Sequence, residues 1–175
     1  MRTSLVAIAF LSLSLLAAIP ASAQGVFKVE KGEALNKIIP RDFVLEENSI
    51  PTEKRNSTLV RTPSGARLVA GLLDTSGYSS QVQEKYLGML IAEGNVEVCG
   101  HQVAVGSYGF GLAKAEDTAG GRPSKFFLYN QAGNKVAECA AEWDDHLKNP
   151  RPLQVVASGS GTARLYLGRT WIELK

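Results

Sequence analysis

The chain has few residues of the kinds that form metal centres and covalent catalytic sites. Its 175 residues include only two cysteines and two histidines. It lacks the Gly-x-Ser-x-Gly turn that presents a nucleophilic serine; the nearest run, Gly159-Ser-Gly161, is one residue too short and is typical of a hairpin turn. We therefore expect no catalytic residue and no cofactor, and we favour a non-enzymatic protein over an enzyme.

An excess of charge of one sign is also missing. The sequence has 19 basic and 17 acidic residues, and no block of like charge stands out. Binding to nucleic acid and attachment to an anionic membrane both depend on clustered basic residues. The composition therefore favours neither of these partners.

Long apolar runs are absent except at the start of the chain. Arg2 is followed by an apolar run over residues 5–19 and then by Ala21-Ser-Ala23. This order predicts a secretory signal peptide over residues 1–23, and the run is short for a membrane span of roughly 20 residues. After cleavage, which also removes Arg2, we expect a periplasmic or secreted protein with no membrane span.

The two cysteines, Cys99 and Cys139, would lie in an oxidising compartment after export. Cysteines there usually pair, so we predict a disulfide between them. The alternative is a thiolate–imidazole metal site, because His101 and His146 each follow a cysteine and zinc accepts sulfur and nitrogen ligands. The same residues leave open a thiol-redox protein, or a small envelope hydrolase that uses His101 or His146.

Turn residues between short apolar runs are what the sequence has in abundance. Pro63-Ser-Gly65, residues 130–134 and residues 158–162 each separate two such runs. Short connections favour antiparallel pairing, because parallel strands need long crossovers. We predict a mostly β protein: an antiparallel β-sandwich or small barrel, with one or two short helical turns near the N-terminal part.

The same signals divide the chain into segments. Residues 24–58 are expected to be irregular, with helical turns over residues 32–39 and a solvated loop over residues 46–57. The antiparallel β domain is expected to span residues 59–175. A short helical turn is also predicted near residues 80–84, directly before a strand.

The stretch from residue 97 to residue 112 has the clearest strand pattern. It predicts a strand, a tight Gly-His turn, and a second strand in which large and tiny residues alternate. Since strand side chains point alternately to two faces, the large residues share one face. The opposite face carries Gly109, Gly111 and Ala113, whose bare backbone permits either close packing of another layer or approach of a ligand, and we favour the packing of a second sheet. The large residues are Tyr108, Phe110 and Leu112.

The second half of this stretch resembles a known hairpin motif. The x-Leu-Pro-Ala-Gly-x-Tyr-x-Leu hairpin occurs in many exported bacterial β-sandwich domains, some of them uncharacterised. Gly106 and Tyr108 match the motif, whereas Val103-Ala-Val105 lacks its proline. The resemblance covers only residues 101–112. It implies an exported bacterial β-sandwich and implies no activity.

Aromatic residues at a rim are the best candidates for ligand contact. Trp143 lies in a charged loop with Asp144 and Arg151, and tryptophan can stack on a sugar ring or anchor a partner. We take Trp143 and Arg151 as candidate contact residues. The expected function is a non-enzymatic binding or envelope-associated module for a protein, glycan or small ligand. Sheet edges, or the loops at residues 114–124 and 143–152, would carry the contacts.

Overall fold

The computed structural model of the chain describes residues 25–30, 32–114, 122–159 and 161–175. The predicted signal peptide lies outside these residues. Within them, no helix is long and apolar enough to cross a membrane. The elements, in chain order, are β1 (Lys28–Glu30), α1 (Glu33–Ile38), β2 (Asp42–Leu45), β3 (Asn48–Arg61), β4 (Arg67–Leu73), α2 (Ser80–Lys85), β5 (Gly88–Ala92), β6 (Val96–Val98), β7 (His101–Val103), β8 (Gly106–Lys114), β9 (Pro123–Asn130), β10 (Lys135–Ala140), β11 (Glu142–Trp143), β12 (Arg151–Ser158), β13 (Thr162–Gly168) and β14 (Thr170–Leu174).

These strands form two antiparallel sheets. In sheet I the strand order is β1-β3-β4-β5-β8-β9-β10, with β2 paired to part of β3. In sheet II the order is β12-β13-β14-β6-β7, with β11 paired to β14. The sheets share an apolar core and, within the described residues, neither closes into a barrel. The prediction of a mostly β sandwich with two short helical turns is confirmed.

Sheet I is buried on both faces, as strand β4 shows. Its residues Leu68 and Leu72 belong to the core that lies between the two sheets. The alternate residues Val69 and Leu73 belong to a second core on the opposite face. Helix α1, helix α2 and the β2–β3 hairpin contribute to this second core. The protein therefore has a third, partial layer outside sheet I.

The alternation predicted in β8 is confirmed, but a different element covers the small residues. Phe110 is buried between the sheets, as expected for the large face. On the other face, Gly109 lies against the ring of Tyr86, and Gly111 lies against the backbone carbonyl of Lys85 at the end of α2. The end of a helix, rather than the expected second sheet, occupies the space that the missing side chains leave.

The prediction of one continuous strand after the Gly-His turn is wrong. His101–Val103 pairs with β6 in sheet II, whereas Gly106–Lys114 pairs with β5 and β9 in sheet I. Ala104 and Val105 carry the chain from one sheet to the other, and Tyr108 Oη donates to the Ala104 carbonyl at 3.0 Å. Only the pairing partners reveal this switch, because the apolar pattern of the sequence continues through it.

The N-terminal segment is more regular than predicted. The expected boundary between residues 58 and 59 falls inside β3, and most of the expected loop at residues 46–57 belongs to that strand. β2 and β3 are joined at Glu46 and Glu47, whose φ angles are 46° and 67°. Two-residue turns of this conformation prefer asparagine and glycine, so a pair of glutamates does not signal a hairpin in the sequence.

The predicted disulfide is present and joins the two sheets. Cys99 lies with Gly100 in the turn between β6 and β7, and Cys139 lies in β10. Their Cα atoms are 6.0 Å apart, which is usual for a disulfide. Since β7 and β10 are the outermost strands of their sheets, the bond closes one open edge of the sandwich.

Removing this cross-link should weaken the fold. The bond joins residues 40 positions apart, so the C99A/C139A variant should lose about 4 kcal/mol of unfolding free energy as the unfolded chain gains conformational entropy. Urea denaturation of both proteins measures the difference. Reductant should destabilise the unchanged protein and have no effect on the variant. Equal urea midpoints in the absence of reductant would contradict a stabilising bond.

The contact between α2 and β8 can be tested at Gly111. A Gly111→Ala change places a methyl group against the backbone carbonyl of Lys85, which cannot rotate away. We expect overpacking to cost about 2 kcal/mol, measured by thermal or urea unfolding. Gly77→Ala is the matched control, because a Cβ there meets no atom within 4 Å. If both variants are equally stable, the helix does not press on the strand.

Candidate functional site

A groove lies at the edge of the sandwich opposite the disulfide. There β12, the last strand of sheet II, approaches β1 and β3 of sheet I, and within the described residues no ladder joins the two sheets. The groove has a volume of about 480 Å³, a size typical of ligand sites. Its walls are formed by Val29, residues 55–58 and residues 151–157.

The groove follows the outer edge of β12. Every residue from 151 to 157 lines it. Since strand side chains alternate between two faces, a groove that touches consecutive residues runs along the edge of the strand. The other edge of β12 pairs with β13. Among the residues that the structure describes, the outward peptide groups of β12 therefore face the groove without a strand partner.

The facing wall is a part of β3 that, among the described residues, has a neighbouring strand on one side only. β2 pairs with residues 48–51 of β3, and β1 pairs with residues 59–61. Between these two ranges the described partner of β3 is β4, and the register shifts between Glu53 and Ser57. Such a shift is a β-bulge, which takes residues 54–56 out of the ladder. The bulge places the basic segment Lys54-Arg55 beside the groove.

Two arginines give the groove its charge. Arg55 and Arg151 are both exposed, and neither has a hydrogen-bond or ion-pair partner in the part of the chain that the structure describes. The acidic side chain in the bulge, Glu53, already accepts a hydrogen bond from Asn56 at 2.6 Å. A guanidinium group binds a carboxylate or phosphate in a two-point geometry. The groove can therefore hold an anionic group.

A second recess continues this positive surface. It has a volume of about 530 Å³, shares Arg55 and Asn56 with the groove, and extends to Arg41 and Lys54. Arg41 lies 3.9 Å from the carboxylate of Asp42, and an exposed pair at this distance contributes little. Lys54 is exposed and without a partner among the described residues. An anionic ligand longer than the groove would thus meet more positive charge.

The structure separates the two residues predicted to contact a ligand. Arg151 lines the groove, whereas Trp143 does not. Trp143 is 36% exposed, its indole N–H donates to the Asp145 carboxylate at 2.7 Å, and the guanidinium of Arg122 lies 4.8 Å from its ring centre. These two contacts hold the ring in place at the surface. The other expected contact loop, at residues 114–124, lies mostly outside the described residues.

The four residues considered for a metal site take part in other contacts. Cys99 and Cys139 are bonded to each other. His101 Nε2 lies 3.2 Å from a backbone carbonyl of β10, close to the disulfide. His146 lies in the loop after β11, where its backbone N–H donates to the Asp144 carboxylate at 2.9 Å. Among the residues that the structure describes, no group of three or more histidines, cysteines and carboxylates is placed to hold a metal ion.

A second polar cluster lies at the edge of the outer layer. The Glu46 carboxylate accepts hydrogen bonds from Lys85 Nζ and, at 2.6 Å, from Tyr86 Oη. Lys85 also donates to the Gly133 carbonyl at 2.9 Å and lies 4.9 Å from the ring centre of Tyr129. These five residues, which we call the Glu46 latch, join the β2–β3 turn, α2 and the β9–β10 hairpin.

The latch fixes its groups in one protonation state. Hydrogen bonds from Lys85 and then Tyr86 lower the pKa of the Glu46 carboxyl. Burial, followed by the hydrogen bond to Glu46, raises the pKa of the Tyr86 phenol. At neutral pH the carboxylate is therefore charged and the phenol neutral. Because these groups satisfy one another, the latch holds the outer layer in place and is a weaker candidate for ligand chemistry than the groove.

The pH dependence of unfolding tests the latch. Because folding lowers the pKa of Glu46, its stabilisation is complete above the ordinary value of 4.5 and is lost as the pH falls through the lower folded value. At pH 7 we expect Glu46→Gln to lower the free energy of unfolding by about 1–2 kcal/mol, and this gap should narrow as the pH falls below 4.5, the ordinary pKa of the carboxyl. Glu47→Gln is the control, because that neighbouring side chain has no partner among the described residues. Urea unfolding at several pH values measures both variants, and a gap that does not depend on pH would contradict the latch.

Sequence reasoning found Arg151 and missed Arg55. Lys54-Arg55-Asn56 was expected in a solvated loop, and a bulge within a long strand has no turn residues to announce it. Searches against protein-family models, curated proteins and solved structures found no match to this chain. Function is therefore inferred from the residues and the geometry of the chain itself.

Proposed function

We propose that the protein is an exported, non-enzymatic binding module that holds an anionic ligand in the groove at the open edge of the sandwich. The observation that carries this proposal is the pair of exposed arginines, Arg55 and Arg151, which line one groove and have no partner among the described residues. A concave surface with unpaired charge is complementary to a ligand of opposite charge. The ligand class is thus a protein, glycan or small molecule that bears carboxylate or phosphate groups.

The composition of the groove favours binding over catalysis. Its wall combines the two arginines with apolar, hydroxyl and amide side chains, and the described residues that line it include no histidine, cysteine, lysine or carboxylate. Acid–base and nucleophilic catalysis rely mainly on those residue types. The described wall offers positive charge, hydrogen bonds and apolar contact, which are the components of a recognition site.

Two features support a location in the periplasm or outside the cell. Residues 1–23 have the order of basic start, apolar core and Ala-x-Ala that is typical of a secretory signal. The disulfide between Cys99 and Cys139 is typical of proteins in oxidising compartments. An envelope-associated or secreted binding module is consistent with both.

Binding of two carboxylated polymers tests the proposal. Poly-L-glutamate and alginate are titrated into the mature protein at low and high salt, and affinity is measured by calorimetry. At least one polymer should bind, more weakly as salt rises, because the attraction is electrostatic. The R55Q/R151Q variant should bind at least tenfold more weakly, equivalent to about 1.4 kcal/mol.

The matched control removes two charges from the other side of the sandwich. Lys125 and Lys135 are exposed and pair with Glu138 near the disulfide edge. K125Q/K135Q changes the net charge as much as R55Q/R151Q does, and it should retain the affinity of the unchanged protein. If both variants weaken binding equally, or if neither these polymers nor the acidic peptide described below binds, the groove is not the site.

A further inference from the structure

We infer that the ligand of this groove is an extended acidic peptide that adds as a strand to the free edge of β12. This inference rests on the proposed function and narrows it to one ligand class and one mode of binding. It is carried by three features that meet in one groove: a strand edge, one side of a stretch of the opposite sheet, and two arginines, all without partners among the described residues.

The edge of β12 is regular where a new strand would pair. Residues 154–158 pair with β13 in unbroken register. On the outer edge of that run, N–H and C=O groups recur at strand spacing over roughly 16 Å, at about 3.3 Å a residue. An extended peptide carries the same groups at the same spacing and can satisfy them, which is how peptides add to exposed sheet edges. A carboxylated sugar or a small anion has no such ladder.

The opposite wall makes the position more specific. Residues 53–58 of β3 lie between the parts of that strand that β2 and β1 cover. A peptide that pairs with β12 would therefore lie beside this part of β3; Cα atoms of β12 and β3 come within 8 Å of each other, which is too close for one strand to pair with both edges. On its inner face it would meet Val29, Leu153 and Val155, which pack on or within the core between the sheets. Alternating apolar residues in the peptide fit this floor.

The arginines set the charge and the direction of the peptide. At the start of β12 the pairing with β13 is interrupted between Arg151 and Gln154, so this end offers charge rather than a regular ladder. A strand that adds antiparallel to β12 places its C-terminal end beside Arg151. The peptide that fits best therefore has alternating apolar residues followed by acidic residues at its C-terminal end.

β12 also has features that limit pairing with a second copy of the chain. Pro152 lies in the irregular end of the strand, and proline and irregular register both disfavour edge-to-edge association. Two β12 edges would moreover bring positively charged walls together. An acidic peptide removes that repulsion.

The first part of the test uses the unchanged protein and chemically altered peptides, so its result does not depend on the folding of a variant. The probe is a fluorescein-labelled peptide with the sequence Thr-Val-Thr-Val-Thr-Glu-Glu. Two further peptides carry N-methyl groups on alternate residues, one set on each edge of the strand, and a fourth ends in Lys-Lys. Fluorescence anisotropy measures affinity, and hydrogen exchange measures protection of the amides at residues 154–158.

Strand addition predicts a pattern that other modes of binding do not. At least one N-methylated peptide should bind tenfold more weakly than the probe, because its blocked edge faces β12. The Lys-Lys peptide should bind at least tenfold more weakly, R55Q/R151Q should weaken the probe, and K125Q/K135Q should not. Amides at residues 154–158 should exchange more slowly in the complex.

Other outcomes overturn the inference and separate it from the proposed function. If both N-methylated peptides bind as well as the probe and no amide of β12 is protected, the peptide does not add as a strand. If poly-L-glutamate or alginate still binds through the arginines in that case, the proposed function is supported and strand addition is wrong. If no polyanion and no peptide binds, the proposed function falls as well.

Discussion

The burial of sheet I on both faces is the constraint on which the rest of the structure depends. Its central strands must present apolar or small side chains in both directions, and β4 does so with Leu68 and Leu72 on one face and Val69 on the other. This arrangement requires a cover on each side. Sheet II covers one face, and two short helices and the β2–β3 hairpin cover the other. The bare backbone at Gly111 admits the end of α2, and the Glu46 latch ties that outer layer at its edge.

A sandwich of two open sheets has two edges, and in this protein one edge is cross-linked whereas the other is open. At one edge the bond between Cys99 and Cys139 joins the β6–β7 turn of sheet II to β10, the outermost strand of sheet I. At the other edge, β12 and an uncovered part of β3 leave a groove. Exposed strand edges favour unwanted association, so natural proteins blunt or cover them. Here the open edge has a proline, a bulge and two arginines, which discourage self-pairing and give the groove a positive charge.

Much of the fold could be predicted because its signals are local. Turn residues at 63–65, 130–134 and 158–162 mark hairpins that the structure contains. Features that depend on pairing partners could not be predicted in the same way. The switch between sheets at Ala104 and Val105 is one example, since its residues continue a strand pattern. The two arginines of the groove differ in the same way. Arg151 lies next to an apolar run that the sequence marks as a strand, whereas Arg55 lies in a bulge that no turn residues mark.

The sequence by itself determined most of the hairpins and the antiparallel class, and it favoured the pairing of the two cysteines. These follow from alternation, turn chemistry and the scarcity of cysteine, each of which acts within a short stretch of chain or through composition. Only the tertiary structure decided which strands lie at the edges of the two sheets and which cations there have no partner among the described residues. Arg55 and Arg151 are almost a hundred positions apart in the sequence, and they line one groove because the two sheets meet face to face but do not join at that edge.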